Sequence, residues 1–202
     1  MNKMAYQLTK NGRALKILPY THPIFSQRIE NELIFPLSQE IRELILLTGQ
    51  TLKGDLGFFS NHCPGINAVN VGLPFRFFVL QNFKATHFPR LKYILNPDIL
   101  EISEGSREWI AETCLSMGEA MGVKKRYTHI RVAYYTLNGK RKEETLKSDE
   151  CYEFQVQYDR LEGKSILDDA IEEANEKYIE YFHNKKEAWR LEEYKINKDR
   201  IK

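Results

Sequence analysis

Apolar positions recur along this chain in more than one rhythm. Leu37, Ile41, Leu44, Ile45, Thr48 and Leu52 fall at helical spacing, and Gly54 interrupts the pattern. That spacing predicts an amphipathic helix over Ser38–Lys53 with its stripe against a core. Further on, Ile130, Val132 and Tyr134 alternate with Arg131, Ala133 and Tyr135, the two-residue period of a strand. Asn138-Gly139 behind them is a hairpin-turn signal. Phe75–Leu80 and Leu100–Ser103 read as further strands, with Asn96-Pro97 as a turn between them and Phe83–Tyr93 as irregular chain. Ser148–Gly163 reads as a second helix. Ser148 is placed to cap it, Asp149 and Glu150 put negative charge in its first turn, and Gly163 can close it in the left-handed conformation. On that helix Val156 and Arg160 are four apart and share a face, with Gln157 beside the first.

The ends differ from the middle. Residues 1–16 are polar and basic and are expected to be loose. Beyond Gly163, Leu167, Ala170, Ile171, Ala174, Tyr178, Tyr181, Phe182 and Trp189 form a stripe that predicts a long C-terminal helix. Lys164–Phe182 carries six acidic and two basic residues, and His183–Lys202 four acidic and seven basic. An acidic start and a basic end both suit the helix dipole. The expected organisation is a loose segment 1–16, a domain 17–168 and a helical extension 169–202. Between the first helix and the strands, Asp55–Gly65 reads as a loop. His62 and Cys63 are adjacent there, a pair that does not make a metal site without further ligands. The glycines of Gly65–Gln81 suggest a close approach of backbone to something.

Composition narrows the picture. A chain of 202 residues with 42% apolar and 29% charged content can bury a core of its own. No run of about eighteen apolar residues is present, so no membrane span is expected. The first residues, MNKMAYQLTKNGRALKI, lack the apolar core of a secretory signal. Cys63, Cys114 and Cys151 are sparse, odd in number and without CxxC spacing, which suggests reduced thiols in a cytoplasmic protein. A net charge of +2 is too small to argue for DNA as a partner.

Three ordered blocks carry a family resemblance. GINAVNVG (Gly65–Gly72), ETCLS (Glu112–Ser116) and QVQYDRLEG (Gln155–Gly163) follow one another along the chain. They resemble the three motifs of peptide deformylase, G-x-G-L-A-A-x-Q-x-G, E-G-C-L-S and Q-H-E-x-D-H-L-x-G. IRVAYYTLNG and ILPYTHPIF are similar to two further segments of that family, so the likeness runs from about Ile17 to Asp168. The resemblance implies an α+β fold with antiparallel sheets around a central helix, here followed by the long C-terminal helix.

What the resemblance implies for chemistry is different. In that family a cysteine and two histidines hold a divalent metal, a glutamate moves the proton of the metal-bound water, and a glutamine side chain and a backbone N–H stabilise the oxyanion. By motif position, Cys114 keeps the thiol and Leu115 the N–H, and Gly65 keeps a motif glycine. The two histidine places are Val156 and Arg160, the glutamate place is Gln157, and the glutamine place is Asn70. Thr113 stands for the glycine before the cysteine, and Gly118-Glu119 for the proline-glycine after it. Valine has no lone pair, arginine stays protonated and repels a cation, and glutamine cannot take and return a proton near neutral pH. No metal, no other cofactor and no metal-dependent deformylase activity are therefore expected. None of His22, His62, His87, His129 and His183 has a spacing that suggests a replacement pair.

Three functional readings stay open on the sequence. One is a pseudoenzyme whose old groove binds a peptide or small carboxylate through Asn70, the Leu115 N–H and Arg160. In that reading Arg160 either holds a ligand or pairs with Glu112 or another carboxylate to fill space. A second is an amide hydrolase working through Cys114, its thiol activated by Arg160. A third is an adaptor that docks on a protein or the ribosome through the C-terminal helix. Glu153 and Asp159 on the second helix could serve as a carboxylate pair for acid–base work, but read first as solvated or scaffold carboxylates.

Overall fold

A computed structural model describes residues 6–9, 12, 14–54, 63–81, 91–117 and 121–168. Among these residues, seven strands, β1 (Gly65–Asn67), β2 (Phe77–Gln81), β3 (Leu91–Ile102), β4 (Arg107–Thr113), β5 (Met121–Tyr127), β6 (His129–Tyr135) and β7 (Arg141–Lys147), accompany two α-helices, α1 (Gln39–Gly54) and α2 (Ser148–Leu161). Five strands form an antiparallel sheet in the order β1-β2-β3-β6-β7, and β4 and β5 pair as a separate antiparallel ribbon. The α+β architecture with antiparallel sheets around a central helix is thus as expected. The extension 169–202, with the long C-terminal helix, lies outside the described residues, as do His62, His87, His183, Gly118 and Glu119.

The first helix forms where its periodicity places it. Ser38 caps it through Oγ, which accepts from the Ile41 N–H at 3.3 Å. Its buried face carries Leu44, Ile45, Thr48, Thr51 and Leu52. Both threonines satisfy their hydroxyls on carbonyls one turn back, Leu44 and Leu47, at 2.8 Å. Thr51 Oγ1 also accepts from the Leu15 N–H at 2.8 Å. Leu15 and Ala14 are buried, and Leu15 bridges to Leu8. Within the segment 1–16 expected to be loose, the Leu8–Leu15 bridge joins two of the described residues, while the Leu8 side chain stays exposed.

Two local readings are corrected. Asn96-Pro97 does not turn the chain; β3 runs through it with a register shift between Leu95 and Asp98. Asn96 takes a φ of +47°, and its amide both accepts from Leu33 N and donates to Leu33 O at 2.8 Å. A residue that tolerates the left-handed region makes a bulge here, because a neighbouring loop satisfies the groups the ladder leaves free. Ser148 does not cap α2: it sits at φ +53° inside the first turn, and Lys147 at the cap position makes no side-chain bond. Gly163 does close the helix, at φ +76°. β4 and β5 carry no clean alternation that marked them in the sequence, since charged side chains on both strands are drawn inward by ion pairing.

The central helix is held along its whole length. Near its start, Glu150 accepts from Lys92 of β3 at 2.6 Å. In the middle, the Phe154 ring meets Phe78 of β2 edge-on at 5.1 Å. Beyond its last turn, Glu162 pairs with Arg76 at 2.9 Å and Arg28 at 3.0 Å. Asp159 accepts from Arg126 of β5 at 2.6 Å, and Arg126 also forks onto Glu112 of β4, with Nη2 to Oε2 at 2.9 Å. Burial works against the Arg126 charge, but hydrogen bonds and attraction from Glu112 and Asp159 outweigh it, and its pKa is raised. Replacing Arg126 by alanine would leave the buried Glu112 carboxylate uncompensated. Denaturant unfolding of Arg126→Ala is expected to show a loss of about 3–5 kcal/mol, more than Arg131→Ala on the exposed surface.

Candidate functional site

The motif positions converge around the C-terminal half of α2. Cys114, just after β4, packs with Val156 of α2 and with Ile166, and Met117 lies against all three. Ile166 arrives there because the chain folds back after Gly163. Ser165 O accepts from Lys124 Nζ at 2.6 Å, and Ile166 lies so close to Gly122 that a Cβ there would sit 2.0 Å from its carbonyl oxygen. A side chain at 122 would therefore push the Ile166 segment away from Cys114.

Asn70 sits in the 3-10 turn Ala68–Val71 that follows β1, and both ends of its amide serve the fold. Oδ1 accepts from the Asn67 N–H at 2.8 Å; Nδ2 donates to Ser116 Oγ at 2.8 Å and to Cys114 Sγ at 3.6 Å. Its role in this structure is to lock the turn and orient Cys114, rather than to present a free amide. Leu115, in the short 3-10 turn behind Cys114, is partly buried against the apolar cluster around α1. The extended segment before Pro19 closes this side, with Leu18 N–H donating to Asn70 O at 2.8 Å and Tyr20 N–H to Ser116 O at 3.0 Å.

Arg160 is only 2% exposed. Its Nη1 donates to the Lys164 carbonyl at 2.8 Å, Nη2 approaches Met117 Sδ at 3.8 Å, and its guanidinium lies 5.4 Å from the centroid of the Tyr20 ring. The alternative in which Arg160 pairs with Glu112 is overturned, because Glu112 is taken by Arg126. Among the described residues no carboxylate pairs with Arg160.

Gln157 and Glu153 form the other half of the site. Gln157 Nε2 donates to Glu153 Oε1 at 2.7 Å, one turn back on the helix. Both press against Gly65 of β1, where a Cβ would stand 2.5 Å from Glu153 Oε1 and 3.0 Å from Gln157 Nε2. That is the close approach the glycine-bearing block suggested. Gln157 is 5% exposed, and its Oε1 has no hydrogen-bond partner among the described residues. Glu153 is half-buried as a residue, but desolvation of its carboxyl raises the pKa from 4.5 to about 7, against the lowering effect of the Gln157 bond. The sequence reading treated Glu153 as a solvated or scaffold carboxylate. Its special environment comes from β1 and from Cys63, which are distant along the chain.

The two other described histidines serve local structure. His22 Nδ1 accepts from the Ile24 N–H at 3.3 Å, and His129 Nδ1 meets Thr128 Oγ1 at 2.9 Å. Cys63 meets Thr113 Oγ1 at 3.1 Å, and burial pushes its thiol up to about 12. Among the described residues no carboxylate or imidazole is hydrogen-bonded to Cys114, and no group of three His, Cys, Asp or Glu could hold a metal ion. The donor set around Cys114, a methyl-lined wall, a thioether and a guanidinium, does not fit a divalent cation.

The fold defines a deformylase scaffold. Residues 14–176 match the polypeptide deformylase family, and the chain belongs to that family. The peptide deformylase of Hyphomonas neptunium is 29% identical over 104 residues, 52% of this chain and 58% of that protein. That of Thermotoga maritima is 34% identical over 104 residues, 52% of this chain and 60% of that protein. The aligned stretch thus spans less than two thirds of these relatives' length. The crystal structure of the Thermotoga maritima peptide deformylase superposes with a TM-score of 0.64 at 26% identity, covering 76% of this chain and 95% of that one. The fold is also that of Arabidopsis thaliana peptide deformylase 1B, with a TM-score of 0.67 at 21% identity, covering 86% of this chain and 91% of that one. Among the described residues no helix is long and apolar enough to cross a membrane.

The Glu153 shift has a sign that can be tested. Between pH 4.5 and about 7 the folded protein keeps the Glu153 proton that the unfolded chain has lost. Folding stability from this group therefore falls as pH rises through that window. Urea midpoints are expected to decline from pH 5 to pH 7.5 in the wild type, and less steeply in Glu153→Gln.

Proposed function

We propose that this chain is a cytoplasmic, deformylase-fold binding protein that recognises an anionic group, a small carboxylate or a peptide carboxylate, in place of metal-dependent hydrolysis. The observation that carries this reading is Arg160: a guanidinium 2% exposed, on the helix face next to Cys114, with no carboxylate among the described residues to neutralise it. A buried charge without a counter-ion is costly, and a carbonyl, a thioether and an aromatic face replace only part of its hydration. An anion at this place would remove that cost, and a guanidinium fork suits a carboxylate. The Leu115 N–H is the second donor of the reading, while Asn70 contributes by holding Cys114 and Ser116 in place.

Loss of hydrolysis follows from the side chains at the motif positions. Water activation by a metal needs donors, and a proton shuttle needs a titrating group. Val156, Gln157 and Arg160 supply neither, and one thiol leaves a site short of ligands.

Two measurements test the proposal. Purified protein is expected to hold substoichiometric zinc, iron and nickel and to release no formate from a formyl-methionyl peptide. Stoichiometric metal lost on Cys114→Ser, or chelator-sensitive formate release, would overturn the reading. Acetate titration is expected to give saturable binding that Arg160→Ala weakens about ten- to hundredfold. Equal affinity in both proteins would refute Arg160 as the anion receptor. As a converse test, the combined variant Val156→His, Gln157→Glu, Arg160→His rebuilds the ligand set and is expected to gain about one equivalent of zinc.

A further inference from the structure

The half of the site built by Glu153 and Gln157 has a chemistry of its own, opposite in sign to that of Arg160. An ionised carboxylate only accepts hydrogen bonds. Gln157 turns its NH2 toward Glu153 in the 2.7 Å contact, and its carbonyl points away. That carbonyl oxygen is buried and without a partner among the described residues, a state that costs the full desolvation of the group. Glu153 in turn forms no ion pair among the described residues, although its carboxyl is desolvated. Two acceptors thus stand side by side, the unsatisfied Gln157 carbonyl and a Glu153 carboxyl that ionises only as pH passes about 7. Among the described residues no donor satisfies both at once.

The surroundings fix what could fill the place. On β4, Glu112 adds negative charge; on β5, Arg126 is held by Glu112 and Asp159; before β1, the Cys63 thiol is neutral with its pKa raised to about 12. The β1 backbone is bare where Gly65 faces the pair, so nothing bulky projects from that side. A metal ion is a poor occupant, because no group of three metal-binding side chains exists among the described residues. A compact cation that brings several N–H donors satisfies both acceptors.

We propose that Glu153 and Gln157 form a binding site for a primary ammonium group, with Gln157 Oε1 and the Glu153 carboxylate as its acceptors. Neither residue is carried by the family motifs in this role, and Gly65 makes the pairing sterically possible. The inference rests on a different pair of residues from the Arg160 reading and stands or falls independently of it.

The site takes its ligand in the ionised state of Glu153. Ammonium binding therefore competes with the proton, and affinity follows the ionised fraction as pH passes about 7. The probe is n-butylammonium chloride, which carries no carboxylate for Arg160, with butan-1-ol as the uncharged control at matched ionic strength. Titration of the full chain, followed by 1H–15N amide shifts, is expected to show saturable binding of the amine and none of the alcohol. Affinity is expected to fall about tenfold from pH 8 to pH 6, since a group with a pKa near 7 loses about that fraction of its ionised form. Gln157→Leu, which removes the open acceptor, is expected to weaken binding about tenfold. Glu153→Gln is expected to lose most binding and all of the pH dependence. No saturable shift for n-butylammonium, equal shifts with butan-1-ol, or an affinity unchanged between pH 6 and pH 8 would overturn the proposal. The wild-type pH comparison decides the matter even where a variant folds poorly.

Discussion

Arg126 ties three elements together through one buried guanidinium. The β4–β5 ribbon is separate from the main sheet, and its strands pair only with each other. Arg126 reaches from β5 to Glu112 on β4 and to Asp159 on α2. Glu112 lies two residues before Cys114, and Asp159 directly precedes Arg160. A buried, charge-assisted fork therefore lies between the strand that leads to the thiol and the C-terminal half of α2. Such a fork is directional as well as strong, because two N–H groups must meet two oxygens in a plane. Lys124, two positions before Arg126 on β5, extends the same tie to Ser165 and brings Ile166 over Cys114.

Within that frame the centre carries groups of opposite electrical character. On one side of Gln157 lies a guanidinium and on the other a carboxyl, neither in an ion pair among the described residues. They belong to one helix and are seven residues apart, so they do not cancel each other. Each keeps its own unmet demand, and the apolar contacts of Val156, Cys114 and Ile166 occupy the space between. Buried, unmatched polar groups are rare in folded proteins because nothing offsets their lost hydration. Among the described residues the Gln157 carbonyl oxygen is the one buried side-chain nitrogen or oxygen left without a hydrogen-bond partner.

The shell around these groups is conservative in its physics. Asn70 spends both ends of its amide on Asn67, Ser116 and Cys114, and the Asn67 side chain donates to the Gln157 carbonyl at 2.7 Å. The turn after β1, the turn after β4 and the central helix are thereby cross-linked by short polar side chains. This cross-linking keeps the scaffold intact when the residues facing the centre change their chemistry.

Local order set much of what could be read in advance. The 3.6-residue stripe of α1, the alternation of β6, the Asn138-Gly139 hairpin and the left-handed Gly163 are decided by neighbours a few residues apart. The residue types at 114, 156, 157 and 160 were equally plain, and so was the absence of imidazole from the helix face. Other features depended on partners far along the chain. Asn96-Pro97 became a bulge because Leu33 met the Asn96 amide, and Ser148 lost its capping role as the chain entered α2 from β7. Glu112 chose Arg126 over Arg160, and Glu153 became a desolvated acid only when Gly65 and Cys63 closed on it. Charge pairing and desolvation act through space, so periodicity and spacing along the chain cannot reveal them; only the folded arrangement decides which charges meet and which are left alone.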